Sequence, residues 1–129
     1  MYLLDTNICI ALIQENSLAT ARFQEISSRW YISTIVLGEL KKGVYCSQKI
    51  EKNLQKLNNF LTLTSAIDFD SHAAIEFGKI QGELRRMGRP TGELDSLISA
   101  VARSRGDILV THNTRDFENI HNLQLEDWL

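Results

Sequence analysis

Tyr2-Leu3-Leu4, Trp30-Tyr31-Ile32 and Ile108-Leu109-Val110 are short, wholly apolar runs rich in aromatic and aliphatic residues. No polar residue alternates within them, so as strands they would be buried on both faces. The longer stretches between them repeat apolar residues at helical spacing, as in Leu54, Leu57 and Phe60. Strands buried on both faces need helices on both sides, and parallel neighbours need crossover connections that helices supply. The pattern therefore specifies an α/β domain with a parallel sheet covered on both faces.

The expected elements run as follows. Strands lie at Tyr2–Leu4, Trp30–Ile32, within Leu61–Ile67, at Ile108–Val110 and at Leu123–Leu125. Thr6 is expected to cap a helix through Ile13, and a second helix covers Leu18 to Ile26 with Leu18, Ala21, Phe23 and Ile26 inward. Ser33 or Thr34 caps a helix to Tyr45, and another spans Ile50 to Phe60. Asp70 or Ser71 caps a long helix whose inner residues are Ala74, Ile75, Phe77, Ile80 and Leu84. The Gly- and Pro-punctuated loop Met87–Gly92 leads to a helix from Leu94 to Arg103, stopped by Gly106. With 129 residues and no repeat or linker, one domain over 1–129 is expected.

No stretch approaches the roughly 20 apolar residues of a membrane span. The start, Met1-Tyr2-Leu3-Leu4-Asp5, does not read as a secretory signal. Cys9 and Cys46 sit among apolar neighbours and read as core residues of a reduced, cytoplasmic protein. The net charge of −2 argues against a general basic coat for nucleic acid, although a local basic rim can still hold phosphates.

Ligands of open parallel sheets bind just past the carboxyl ends of the strands. Asp5-Thr6-Asn7 follows the first strand, Ser33-Thr34 the second, and Thr111-His112-Asn113 the fourth, with Asp116 a turn later. Two more acids are odd within their helices. Glu39 follows Ile35 and Val36, and Asp95 opens a nearly apolar stretch, Leu94 to Ala102. Each has a plainer reading: Asp5 as a cap, Asp95 as a favourable charge at a helix start, Glu39 as a side chain reaching solvent beside Lys42. Taken together, however, they sit near one end of one sheet.

Two carboxylates ~5 Å apart repel by about 3 kcal/mol at an effective dielectric of 20. Such a cluster takes up protons or binds a cation, and all-oxygen ligands suit Mg²⁺ or Mn²⁺ rather than zinc. A carboxylate-held divalent ion lowers the pKa of a bound water and stabilises a leaving oxygen, which points to phosphodiester chemistry. No Walker phosphate loop, GxGxxG fingerprint or partnered serine or cysteine nucleophile is present.

Four blocks occur in order: Asp5-Thr6-Asn7 after a strand; Ser33-Thr34 with Glu39-Leu40; Gly92 with Asp95, Ile98 and Ala100; and Val110-Thr111 with Asn113, Asp116 and Phe117. With the ending Leu125-Glu126-Asp127-Trp128-Leu129, the chain resembles the PIN-domain nucleases over essentially its whole length, and within them the VapC toxins of toxin–antitoxin modules. The resemblance implies an α/β/α sandwich with a five-stranded parallel sheet. It implies a Mg²⁺- or Mn²⁺-dependent endoribonuclease acting on structured RNA such as tRNA or rRNA, a homodimer, and a small antitoxin protein that blocks the acidic site. It carries the acidic role to Asp5, Glu39, Asp95 and Asp116, and polar support to Thr6, Asn7, Thr111 and Asn113. Ser99 stands where alanine is common, and Glu93 adds an acid of open role.

Two other functions are compatible with parts of the pattern. A receiver-type phosphoacceptor domain has similar length and an acid after its first strand, but Ser65-Ala66 lies near where its acceptor aspartate is required. A non-catalytic PIN-like scaffold binding RNA or protein is expected to have lost an acid, and all four are present. Arg89 and Arg115, with Arg85 and Arg86 nearby, are candidates for RNA phosphate contacts, with a solvated basic face as the alternative. His112 reads as a surface or structural residue near the site. Ile8, Ile10, Ile13, Leu18, Phe23, Leu37, Leu40 and Val44 are divided between core and a groove for an amphipathic antitoxin helix.

Overall fold

The computed structural model describes residues 1–26 and 29–129. Five parallel strands form one sheet: β1 (Tyr2–Leu4), β2 (Trp30–Ser33), β3 (Ala66–Ile67), β4 (Ile108–Val110) and β5 (Gln124–Glu126), in the order β3-β2-β1-β4-β5. The central strand β1 pairs Leu3 with Tyr31 on one side and with Leu109 on the other. Leu3, Leu4, Ile32, Leu109 and Val110 are completely buried, as uniformly apolar strands require.

Six helices cover the sheet: α1 (Thr6–Ile13), α2 (Ser17–Glu25), α3 (Thr34–Tyr45), α4 (Ile50–Leu61), α5 (Ser71–Met87) and α6 (Glu93–Arg105). Helices α1 to α4 pack on one another, and α5 and α6 form the most extensive helix pair. α6 lies deep because its inward residues are small: Ser96, Ser99, Ala100 and Ala102 are all buried. Gly106, at φ +69°, ends it in the left-handed conformation, with Asp107 N–H donating to the Ala102 carbonyl and Gly106 N–H to that of Arg103. None of these helices is long and apolar enough to cross a membrane.

Several boundaries and faces differ from expectation. Asp5, not Thr6, caps α1, and Ser33 and Asp70 cap α3 and α5. Asn16 caps α2, which sets its register so that Ala19, Phe23 and Ile26 face inward. Leu18 is left 59% exposed and Ala21 is exposed too. In α5 the inner row is Ala73, Phe77, Ile80 and Leu84, while Ala74 turns outward and Ile75 is 58% exposed. The third strand shrinks to two residues because α4 continues through Leu61, whose side chain extends the Leu54–Leu57 stripe. β5 lies one residue later than expected. Cys9 is core, but Cys46 follows the last turn of α3 and is exposed.

The sheet order also removes the receiver-type reading. Asp68 does follow β3, yet β3 is an edge strand separated from β1 by β2. In the receiver-like order, 2-1-3-4-5, the third strand lies directly beside the first.

One ion-pair network clamps the α5–α6 pair. Arg103 Nε donates to Glu76 at 2.6 Å, and its Nη1 donates to Glu83 at 2.8 Å and to the His121 carbonyl at 3.2 Å. The guanidinium holds the Glu83 carboxyl below the ordinary glutamate range. Arg103→Ala should cost about 2–3 kcal/mol, since charge-assisted bonds are lost from a nearly buried side chain. Arg103→Lys should recover only part of it, because an ammonium cannot span both acids. Urea unfolding at pH 7 measures both, and a loss under about 0.5 kcal/mol for the alanine variant would contradict the clamp.

Candidate active site

Asp5 stands where β1 ends and α1 begins, and both elements need it there. Its backbone N–H donates to the Val110 carbonyl at 2.9 Å, continuing the β1–β4 pairing. Its Oδ1 accepts from the Thr6 amide at 2.8 Å, as a helix cap does. Its Oδ2 accepts from the Thr111 hydroxyl at 2.8 Å, so the residue after β4 fixes the other oxygen. The side chain is 5% exposed. The plainer reading of Asp5 as a cap is therefore satisfied, and the same carboxylate is bonded to the residue after β4.

The polar residues expected around it are connected to one another. Thr6 Oγ1 donates to Glu39 Oε1 at 2.9 Å, tying α1 to α3. Asn7 Nδ2 lies 3.4 Å from Thr111 Oγ1, and Asn7 Oδ1 accepts from the His112 amide at 3.1 Å. The Asn113 contribution is its backbone N–H, which donates to Thr111 Oγ1 at 3.1 Å. Asp95 is the third residue of α6, half-buried, where the helix dipole favours an acid. Asp116 ends a short 3₁₀ turn, Thr114–Asp116, and is exposed.

Two of the four acids, Asp5 and Asp95, are shifted by burial and by their neighbours. Burial is the main cause raising the Asp5 carboxyl above the ordinary aspartate range, with Glu39 and Asp116 adding to it while Thr111 and Thr6 oppose it. Asp95 is pushed up to about 6, first by burial and then by Asp5, Asp116 and Glu39. No lysine, arginine or histidine forms an ion pair with any of the four among the described residues. Nor, among those residues, do three His, Cys, Asp or Glu side chains close into a ready-made cage for an ion. An open, all-oxygen, uncompensated set fits a hard divalent cation that keeps several waters and takes only one or two carboxylates directly.

The other expected residues are placed as follows. Arg89 and Arg115 are exposed, as are Arg85 and Arg86. Glu93 opens α6 and is exposed. Ser99, the departure noted above, donates to the Asp95 carbonyl at 2.7 Å. His112 is exposed, and its Nδ1 lies 3.2 and 3.3 Å from the two oxygens of Asp127. Asp127 was missed by the sequence reading. It directly follows β5, and a strand boundary one residue later would have drawn attention to it by the same rule that picked out Asp5.

A groove of about 300 Å³ opens beside Glu39, between α1, α3 and α4. Ile10, Ile13, Leu40, Val44 and Leu57 form its apolar lining. Ile10 is 42% exposed, whereas Ile8 is wholly core and does not line it. Leu18, Phe23 and Leu37 lie outside this lining.

The family model for the PIN domain matches residues 2–123. The chain is 42% identical over 128 residues to the tRNA(fMet)-specific endonuclease VapC of Shigella flexneri, covering 98% of this chain and 97% of that one. Among solved structures it resembles DNA-bound VapBC from Salmonella typhimurium, with a TM-score of 0.95, 40% identity and coverage of 99% and 98%. VapBC2 from Rickettsia felis, bound to a promoter DNA fragment, gives a TM-score of 0.94 at 36% identity, with the same coverage.

Without divalent ions, the raised acids make stability depend on pH. The folded state holds the Asp95 proton to about pH 6, whereas the unfolded chain releases it near 4, so Asp95 lowers stability as pH rises between those values. In chelator, the difference in stability between the wild type and Asp95→Asn should therefore shift in favour of the variant from pH 4 to pH 7. A difference that stays flat across that window would show that neither burial nor the other acids raise the Asp95 carboxyl.

Proposed function

This chain belongs to the PIN-domain family and, within it, to the VapC ribonucleases, and from that premise we propose that it hydrolyses structured RNA at the Asp5–Glu39–Asp95–Asp116 site with a divalent cation. The observation that carries the reading is electrostatic. Acids from other segments repel the Asp5 and Asp95 carboxylates at one end of the sheet, and among the described residues no lysine, arginine or histidine forms an ion pair with any of the four.

In this reading Asp5, Asp95 and Glu39 hold Mg²⁺ or Mn²⁺ directly or through water, and Asp116 completes the set. When bound, the ion supplies an activated water and stabilises charge on the leaving oxygen. The protein's own part is placement. Thr111 and the Thr6 amide leave Asp5 little freedom, and Thr6 orients Glu39. Asn7 and Asn113 hold Thr111 in turn. Arg89 and Arg115 are assigned to phosphates flanking the scissile bond. The named substrate of the Shigella flexneri relative makes initiator tRNA the first RNA to test.

The proposed partner is a small antitoxin, as in the VapBC complexes, and homodimerisation belongs to the same reading. The groove beside Glu39 suits the apolar face of an amphipathic helix. A basic side chain at the end of such a helix would reach the carboxylates and form charge-assisted hydrogen bonds.

Asp5→Asn keeps the size of the side chain; its amide oxygen can still accept from the Thr6 N–H, while its NH2 replaces the second acceptor and the Thr111 hydroxyl must turn to accept from it. Cleavage of tRNA should fall by roughly 100- to 1000-fold, as for loss of a principal charge-stabilising group, with the far-UV spectrum unchanged. Normal cleavage by both Asp5→Asn and Asp95→Asn would remove the site from consideration. If an antitoxin arginine occupies the acids, excess Mn²⁺ should partly relieve inhibition of the complex. Inhibition insensitive both to Mn²⁺ and to replacement of the partner's arginines would leave groove binding without site blocking.

A further inference from the structure

Residues 41–56 carry five lysines against a single acid, Glu51, a local charge of +4 in a chain whose formal net charge is −2. Lys42 lies one turn beyond Glu39 on α3, while Lys49, Lys52 and Lys56 follow at the start of and along α4. All four are exposed. The two helices pack on each other and are joined by Cys46–Lys49. Lys56 lines the same groove as Glu39.

This arrangement works against the fold that carries it. Lys49 is the cap residue of α4 and makes no side-chain capping bond, and Lys52 lies in the first turn. Cations there oppose the helix dipole. Lys52 and Lys56 are four apart, a like-charge spacing that destabilises a helix. None of the five lysines forms an ion pair among the described residues. Lys79, by contrast, sits 3.8 Å from Glu76. A cluster placed where the helix disfavours it, and left without internal counter-charge, fits an external polyanion.

We propose that Lys42, Lys49, Lys52 and Lys56 form a track for the ribose–phosphate backbone of the RNA substrate, leading away from the acid site along α4. The inference rests on the ribonuclease reading for the identity of the polyanion. From Lys49 to Lys56 the track rises roughly 10 Å along the helix. The acids repel phosphates, and this track offsets that repulsion at a distance from the reacting bond. It serves long, structured substrates, whereas a short oligonucleotide confined to the acid site does not reach it.

The test uses full-length protein carrying Lys49→Gln, Lys52→Gln and Lys56→Gln together. Binding is measured with bulk tRNA in the Asp5→Asn background without divalent ions, so it reads out even if no RNA is cleaved. Each lost phosphate contact should flatten the slope of log affinity against log salt by about 0.7–0.9, so the slope should fall by about 2. In the catalytically intact background, KM for tRNA should rise about tenfold or more while kcat on a short cleavage-site oligonucleotide stays unchanged. Lys→Arg at the same positions should restore the slope, and Lys79→Gln should leave it alone. An unchanged slope overturns the proposal. So does equal loss of kcat on long and short RNA, which would mark a structural effect. Weakened antitoxin inhibition with an unchanged RNA slope would also overturn it, assigning the lysines to a protein partner.

Discussion

A carboxylate at the end of a central strand, 5% exposed, is held by the Thr6 amide on one oxygen and the Thr111 hydroxyl on the other. Those two bonds join the start of α1 to the residue after β4, and the Asp5 amide adds a third link to Val110. An ionised group buried to this degree is costly without donors. The donors it finds offset part of that cost, and the balance still raises its affinity for a proton. Placement of β1 beside β4 and the geometry of the acidic centre are thus one problem with one solution.

The remaining acids increase the load instead of relieving it. Glu39 enters through α3, Asp95 through the first turn of α6, and Asp116 through the turn after β4. Each helix is anchored by contacts of its own: Ser33 caps α3, and α6 packs through small buried residues. These elements keep like charges near one another, and among the described residues none of the four acids forms an ion pair. Such a site is poised for a cation from solution, because the free energy of relieving repulsion adds to that of coordination.

The charge distribution over the molecule follows the same division. Arg103 sits between two glutamates and joins α5 to α6, so its charge is consumed by the fold. Among the described residues, the lysines of α3 and α4 form no such ion pairs, and neither do the exposed Arg89 and Arg115. A net charge of −2 conceals this separation between acids gathered at the strand ends and cations arrayed beside them. For a protein that handles RNA, local field matters more than the total.

The sequence by itself determined the parallel sheet, since short apolar runs such as Tyr2-Leu3-Leu4, alternating with long stretches of helical spacing, suit strands buried on both faces. It also determined which acids to suspect, because Asp5 lies at a strand end and Asp95 in an apolar context. It did not determine which face of a helix turns to the core, and Leu18 and Ile75, expected inward, lie outward because packing chooses the buried row. Nor could it place Asp127 against His112, or show that one threonine, Thr111, holds Asp5 while receiving contacts from Asn7 and Asn113. Periodicity reports a local free-energy preference, and that is written in the chain. Convergence of residues 106 positions apart, as for Asp5 and Thr111, depends on strand order and register, which only the packed tertiary structure sets.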